Sequence, residues 1–104
     1  MMTRETAKRK IRGFPWKLQA LAKTDIDQRA YVTAEVVPVF EIEDGYYQMQ
    51  VNYKLRLADG YVYGKAPSLD DFVKMQEAAQ RGEVFTLLYL AQSRIILEIE
   101  ERDD

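Results

Sequence analysis

The chain contains no cysteine and no histidine. Without a thiolate or an imidazole there is no Ser-His or Cys-His couple, no disulfide, and no zinc site built from Cys and His. Proline is scarce, with three residues, and the five glycines are scattered, so there is no Gly-rich phosphate loop. No apolar run approaches the ~20 residues of a membrane-spanning helix. The longest, Val84 to Ala91, is interrupted by Thr86. Lys17 and Lys23 flank the short stretch Leu18 to Ala22, a pattern unlike a secretory signal. A cytoplasmic location away from membranes is the resulting expectation.

What is present suits one globular domain. The 104 residues are 47% hydrophobic and 12% aromatic, enough for a core that buries roughly 60–70% of the unfolded surface. The net charge of −2 conceals a division. Residues 1–24 carry Arg4, Lys8, Arg9, Lys10, Arg12, Lys17 and Lys23 against Glu5, a net +6. Residues 25–104 carry eight basic against sixteen acidic side chains, a net −8. Residues 1–13 therefore read as a basic arm whose order the sequence leaves open, and 14–104 as a single α+β domain.

Gly13 separates the arm from Pro15, which suits the first turn of a short helix from Pro15 to Lys23. Leu18, Leu21 and Ala22 would share its apolar side. Phe14 and Trp16 flank the proline, either as plugs at the core edge or as exposed aromatic anchors.

The middle of the chain predicts an antiparallel meander over about residues 31–65. Residues 46–57 alternate, with Tyr47, Met49, Val51, Tyr53, Leu55 and Leu57 on one face. Val32, Ala34, Val36, Phe40 and Ile42 share one parity in the segment before. Asp44-Gly45 between them is a strong two-residue turn signal. Such a turn would set Phe40 opposite Met49, Val36 opposite Tyr53, Val32 opposite Leu57 and Glu35 opposite Lys54. Pro38 lacks an N–H, so the first strand should be an edge or bulged there. Asp59-Gly60 predicts a second hairpin, with Val62 opposite Leu57, Tyr63 opposite Arg56 and Lys65 opposite Lys54.

Ser68 and Asp71 form a near capping box for a helix from Leu69 to about Gln80, closed by Gly82. Leu69, Phe72, Val73, Met75 and Ala79 would form its apolar side. Residues 83–101 fit both periodicities. Their composition predicts a helix from Glu83 to Gln92 and a final strand from Arg94 to Glu100, so that one or two C-terminal helices pack on the meander.

Catalysis would have to rest on carboxylates, Tyr, Lys, Arg or hydroxyls. The pairs Asp70/Asp71, Glu41/Glu43 and Glu98/Glu100 all have plainer explanations as a helix first turn, a strand face beside a turn and an acidic chain end. No enzyme activity, cofactor or metal is expected. The outer face of the meander is more informative. Lys54, Arg56, Tyr61, Tyr63 and Lys65 should lie together there, and basic side chains among tyrosines suit a protein contact or single-stranded nucleic acid. For nucleic acid, the arm residues Arg4, Lys8, Arg9, Lys10 and Arg12 would add phosphate contacts, opposed by the nearby glutamates.

The stretch from Tyr63 to Gln92, in which Lys65, Pro67 and Ser68 lead from a strand into apolar helical segments, resembles part of the small tail-assembly chaperones of tailed phages. The resemblance covers under a third of the chain. It implies a helix pair after Ser68 and an assembly role encoded by a phage or mobile element. The functional expectation is a small non-enzymatic protein-binding module: an adaptor, inhibitor or assembly factor. It would act through Lys54, Arg56, Tyr61, Tyr63 and Lys65 or through Phe14 and Trp16. An exposed edge strand would also permit a homodimer. Nucleic-acid binding is the alternative.

Overall fold

The computed structural model describes residues 2–47 and 50–101. Met49, set opposite Phe40 above, lies outside them with Gln48, as do Asp103 and Asp104. The architecture is α+β. Helices α1 (Arg4–Lys10) and α2 (Trp16–Asp27) come first, then strands β1 (Tyr31–Val36), β2 (Val39–Tyr47), β3 (Gln50–Leu57) and β4 (Gly60–Ala66). Helix α3 (Leu69–Gln80) and strands β5 (Phe85–Leu90) and β6 (Ile96–Glu101) follow. Among the described residues no helix is long and apolar enough to cross a membrane.

The strands form two antiparallel three-stranded sheets, ordered β1-β5-β6 and β2-β3-β4. The expected long first strand is thus two strands in different sheets. Val37 and Pro38 form the break, because proline cannot donate to a ladder and restricts the residue before it. Val32 and Val36 consequently face Tyr89 and Phe85 rather than Leu57 and Tyr53. The first hairpin also differs in register. Strand β2 continues through Asp44-Gly45, Phe40 pairs with Leu55, and Glu41, not Glu35, pairs with Lys54. Asp44 and Gly45 fall in an irregularity where residues 43–45 face the single Asn52 between the pairs Ile42–Tyr53 and Tyr46–Val51. Turn-favouring residues are used here to bulge a strand.

The second hairpin forms with its turn one residue earlier, at Ala58-Asp59. Gly60 (φ 137°) opens β4. The register moves by two residues, setting Val62 opposite Leu55, Tyr61 opposite Arg56, Tyr63 opposite Lys54 and Lys65 opposite Asn52. An even shift leaves every side chain on its expected face.

Helix α3 has the expected bounds. Ser68 Oγ accepts from the Asp71 N–H (3.2 Å) and donates to the Asp71 carboxyl (3.1 Å). The buried side is Phe72 and Ala78, with Met75 and Ala79 partly covered, whereas Leu69 and Val73 are exposed. Helix α2 runs four residues beyond the expected Lys23 and turns Ala22, Asp25 and Ile26 inward, leaving Leu21 exposed. The helix expected from Glu83 to Gln92 is instead strand β5, and with it goes the helix pair implied by the tail-assembly likeness. The apolar run is buried on both sides of a sheet. Phe85, Leu87 and Tyr89 enter one core cluster, and Leu88 and Leu90 the other.

The first cluster lies between the sheets and α3. Its centre is Phe40, Tyr53, Phe72 and Phe85, with ring centroids 5.5–6.3 Å apart. Such tilted and edge-on contacts add about 0.5–1.5 kcal/mol each beyond area burial. The second cluster lies under α1 and α2, where Ala7, Ile11, Phe14, Ala22 and Ile26 meet Leu90, Ile95 and Leu97.

Tyr53 lies directly over Gly64, its partner across the β3–β4 ladder, and a Cβ at Gly64 would fall inside the Tyr53 ring. Gly64→Ala should therefore destabilise the protein by about 1–3 kcal/mol, the cost of overpacking a filled core. Urea titration reads this directly, and an unchanged midpoint would contradict the packing.

Candidate functional site

Alternation along β3 and β4 sends Val51, Tyr53, Leu55, Val62 and Ala66 inward and Lys54, Arg56, Tyr61, Tyr63 and Lys65 to the outer face. The packing of the N-terminal segment divides that face in two.

One half is covered. Tyr63 packs against the second core cluster. Lys65 Nζ sits 5.0 Å from the centroid of the Phe14 ring and donates to the Arg12 carbonyl. Burial holds the Lys65 ammonium below its ordinary value. Phe14 is buried, whereas Trp16 is 73% exposed with Lys17 Nζ 5.8 Å from its ring. Helix α1 is anchored through Ala7 and Ile11, so Arg4, Lys8, Arg9, Lys10 and Arg12 remain exposed. Arg4 donates to the Asp27 carbonyl (3.3 Å) and Arg9 to Thr6 Oγ (3.3 Å). A small groove of about 180 Å³ brings Arg9 and Lys10 of the arm beside Lys65.

The other half is open. Lys54 Nζ lies 4.6 Å above the Tyr61 ring and 3.4 Å from the Glu41 carboxyl. The Tyr61 hydroxyl reaches Glu41 Oε1 at 3.5 Å. The exposed Arg56 stands opposite Tyr61 across the ladder. Glu41 was expected on this face, but its pairing with Lys54 was not, because the expected register put Glu35 opposite Lys54.

Arg94 fixes the open half from below. Its guanidinium donates to both Asp59 carboxyl oxygens (3.1 and 2.8 Å) and to the Tyr61 carbonyl (3.1 Å). It also stacks 5.0 Å from the Tyr89 ring centroid. The Arg94 carbonyl accepts from the Tyr63 N–H at 2.7 Å. Arg94 takes positive φ (62°), a conformation uncommon for a residue other than glycine. Nothing in its sequence context signals this role.

The carboxylate pairs Asp70/Asp71 and Glu98/Glu100 occupy separate parts of the fold. Asp70 and Asp71 occupy the first turn of α3, and Glu98 and Glu100 lie exposed on β6. Among the described residues no three acidic side chains come close enough to hold a metal ion. The face therefore offers hydrogen bonds, charge and aromatic surface, which suit recognition. No family model, curated protein or solved structure matches the chain, so its function is argued from this geometry.

Hydrogen bonds from Arg94 hold the Asp59 carboxyl below its ordinary value. A carboxyl whose folded value is depressed stabilises the protein above its unfolded value, about pH 4, and loses that contribution as pH falls through the folded value. An NMR titration should place the Asp59 midpoint below the ordinary carboxylate range, and Arg94→Gln should return it there. The same midpoint in both proteins would show that Arg94 is not the cause.

Proposed function

We propose that this chain is a non-enzymatic protein-binding module, an adaptor, inhibitor or assembly factor. In this reading it engages an acidic segment of a partner through the open half of the meander's outer face. The observation that carries the reading is the stack of Lys54, Tyr61 and Glu41 beside Arg56. Lys54 has its countercharge in Glu41. Among the described residues Arg56 has no ion-pair partner, and its planar fork suits a partner carboxylate. Tyr61 adds rigid aromatic area at small entropic cost, and Tyr and Arg are the residues over which binding energy tends to concentrate.

Nucleic-acid binding ranks second for a physical reason. Of the two tyrosines offered for base stacking, Tyr63 is partly buried against the core cluster beneath α1 and α2. Lys65 already donates to the Arg12 carbonyl. Glu41 sits within the remaining patch.

The test is affinity capture from the source cells with the wild type and with Arg56→Glu, Tyr61→Ala, both checked for folding by circular dichroism. A protein held by the wild type should be lost by the double variant, with affinity reduced at least about 30-fold, as for hot-spot residues. Retention of every captured protein by the variant would remove this surface from the account.

A further inference from the structure

The outer face of the β1-β5-β6 sheet is only partly roofed by α1 and α2. Two cross-strand rows lie at and beyond the edge of that roof: Thr33–Leu88–Glu98, whose Leu88 still packs against the cluster beneath it, and Glu35–Thr86–Glu100. Where the roof stops, a groove of about 630 Å³ opens, floored by Tyr31 and Leu88 and rimmed by Met2, Arg4 and Arg29, with Glu98 on its other side. A second depression shares Leu88 and Glu98 and extends to Glu100. One continuous trough thus has cations at one end, carboxylates at the other and apolar side chains between. Among the described residues Arg29, Glu98 and Glu100 make no ion pair, and Arg4 donates only to a backbone carbonyl.

We infer that two copies of this chain associate through this trough about a two-fold axis, the Arg4–Arg29 rim of each copy meeting Glu98 and Glu100 of the other. A two-fold axis places a patch against itself, so a patch with adjacent opposite charges is its own complement. A partner of one sign would leave one end of the trough against like charge, at a cost of several kcal/mol. Met2, Tyr31 and Leu88 then meet their counterparts near the axis and lose their remaining contact with water. The contact lies on a different sheet from Arg56 and Tyr61 and does not depend on the function proposed for them.

Sedimentation velocity of the full chain across a concentration series, at low and at high salt, tests the inference. The wild type should dimerise, and more weakly at high salt because rim charges are screened. Glu98→Lys, Glu100→Lys should weaken dimerisation at least about 100-fold, and so should Arg4→Glu, Arg29→Glu. All four positions are exposed, and circular dichroism verifies that both variants fold. An equimolar mixture of the two variants should recover a dimer, because each supplies the charge that the other has lost. A monomeric wild type at every concentration overturns the inference. So does a dimer insensitive to both reversals, which would place the contact at a strand edge instead. A mixture that stays monomeric also contradicts it. Arg56→Glu, Tyr61→Ala should dimerise like the wild type, which separates this outcome from the outcome of capture.

Discussion

Asp25 has no exposure to solvent, and its carboxyl oxygens accept the N–H groups of Gln92 and Ser93 at 2.8–3.2 Å. Leaving the buried Ser93 N–H unmet would cost about 1–3 kcal/mol. The turn from Ala91 to Ile95 is where α2 and both sheets meet. Ala91 donates to the Ala30 carbonyl at the end of the helical region, and Leu90 and Arg94 close the turn on themselves. From the same turn Arg94 reaches the meander through Asp59, Tyr61 and Tyr63, and a parallel bridge joins Ile95 to Tyr63. One helix and two sheets are therefore fixed relative to one another by five consecutive residues.

That constraint determines which surfaces stay open. Joining β4 to the start of β6 brings Tyr63 and Lys65 under the N-terminal helices, and leaves Lys54, Arg56 and Tyr61 beyond their reach. The same docking lays α1 and α2 over the upper rows of the other sheet and exposes its acidic lower rows. The split into a basic N-terminal segment and an acidic remainder is thus not a tail beside a body. It is a basic roof against a partly uncovered acidic face, with α1 held by Ala7 and Ile11.

Much of this was readable from alternation and little of it from turn signals. Side-chain parity over 46–57 and 61–65 separated the core residues Val51, Tyr53, Leu55 and Val62 from the outer residues Lys54, Arg56, Tyr61 and Lys65. Parity survived both register differences because each is an even number of residues, and only an odd slip exchanges faces. Ser68 and Asp71 were equally legible, since capping is a local event. Strand β5 was not, because a run buried on both faces carries neither period. Pro38 pointed to an edge or a bulge in the first strand, but alternation continues through it, so nothing local revealed that the chain changes sheets. The cover over Tyr63 and Lys65, the ion pair of Glu41 and the role of Asp25 depend on residues far apart in sequence. Asp25 and Gln92 are an example, with no local pattern linking them.

The central claim is that recognition occurs at the open half of the meander's outer face. Site-specific photo-crosslinking reads this most directly. A photoreactive phenylalanine derivative is placed at Arg56 in one protein and at Lys23, exposed on α2, in another, and both are irradiated in the source cells. The account predicts a discrete protein adduct from position 56 and none from position 23. Adducts from position 23 alone, or the same adducts from both, would contradict it.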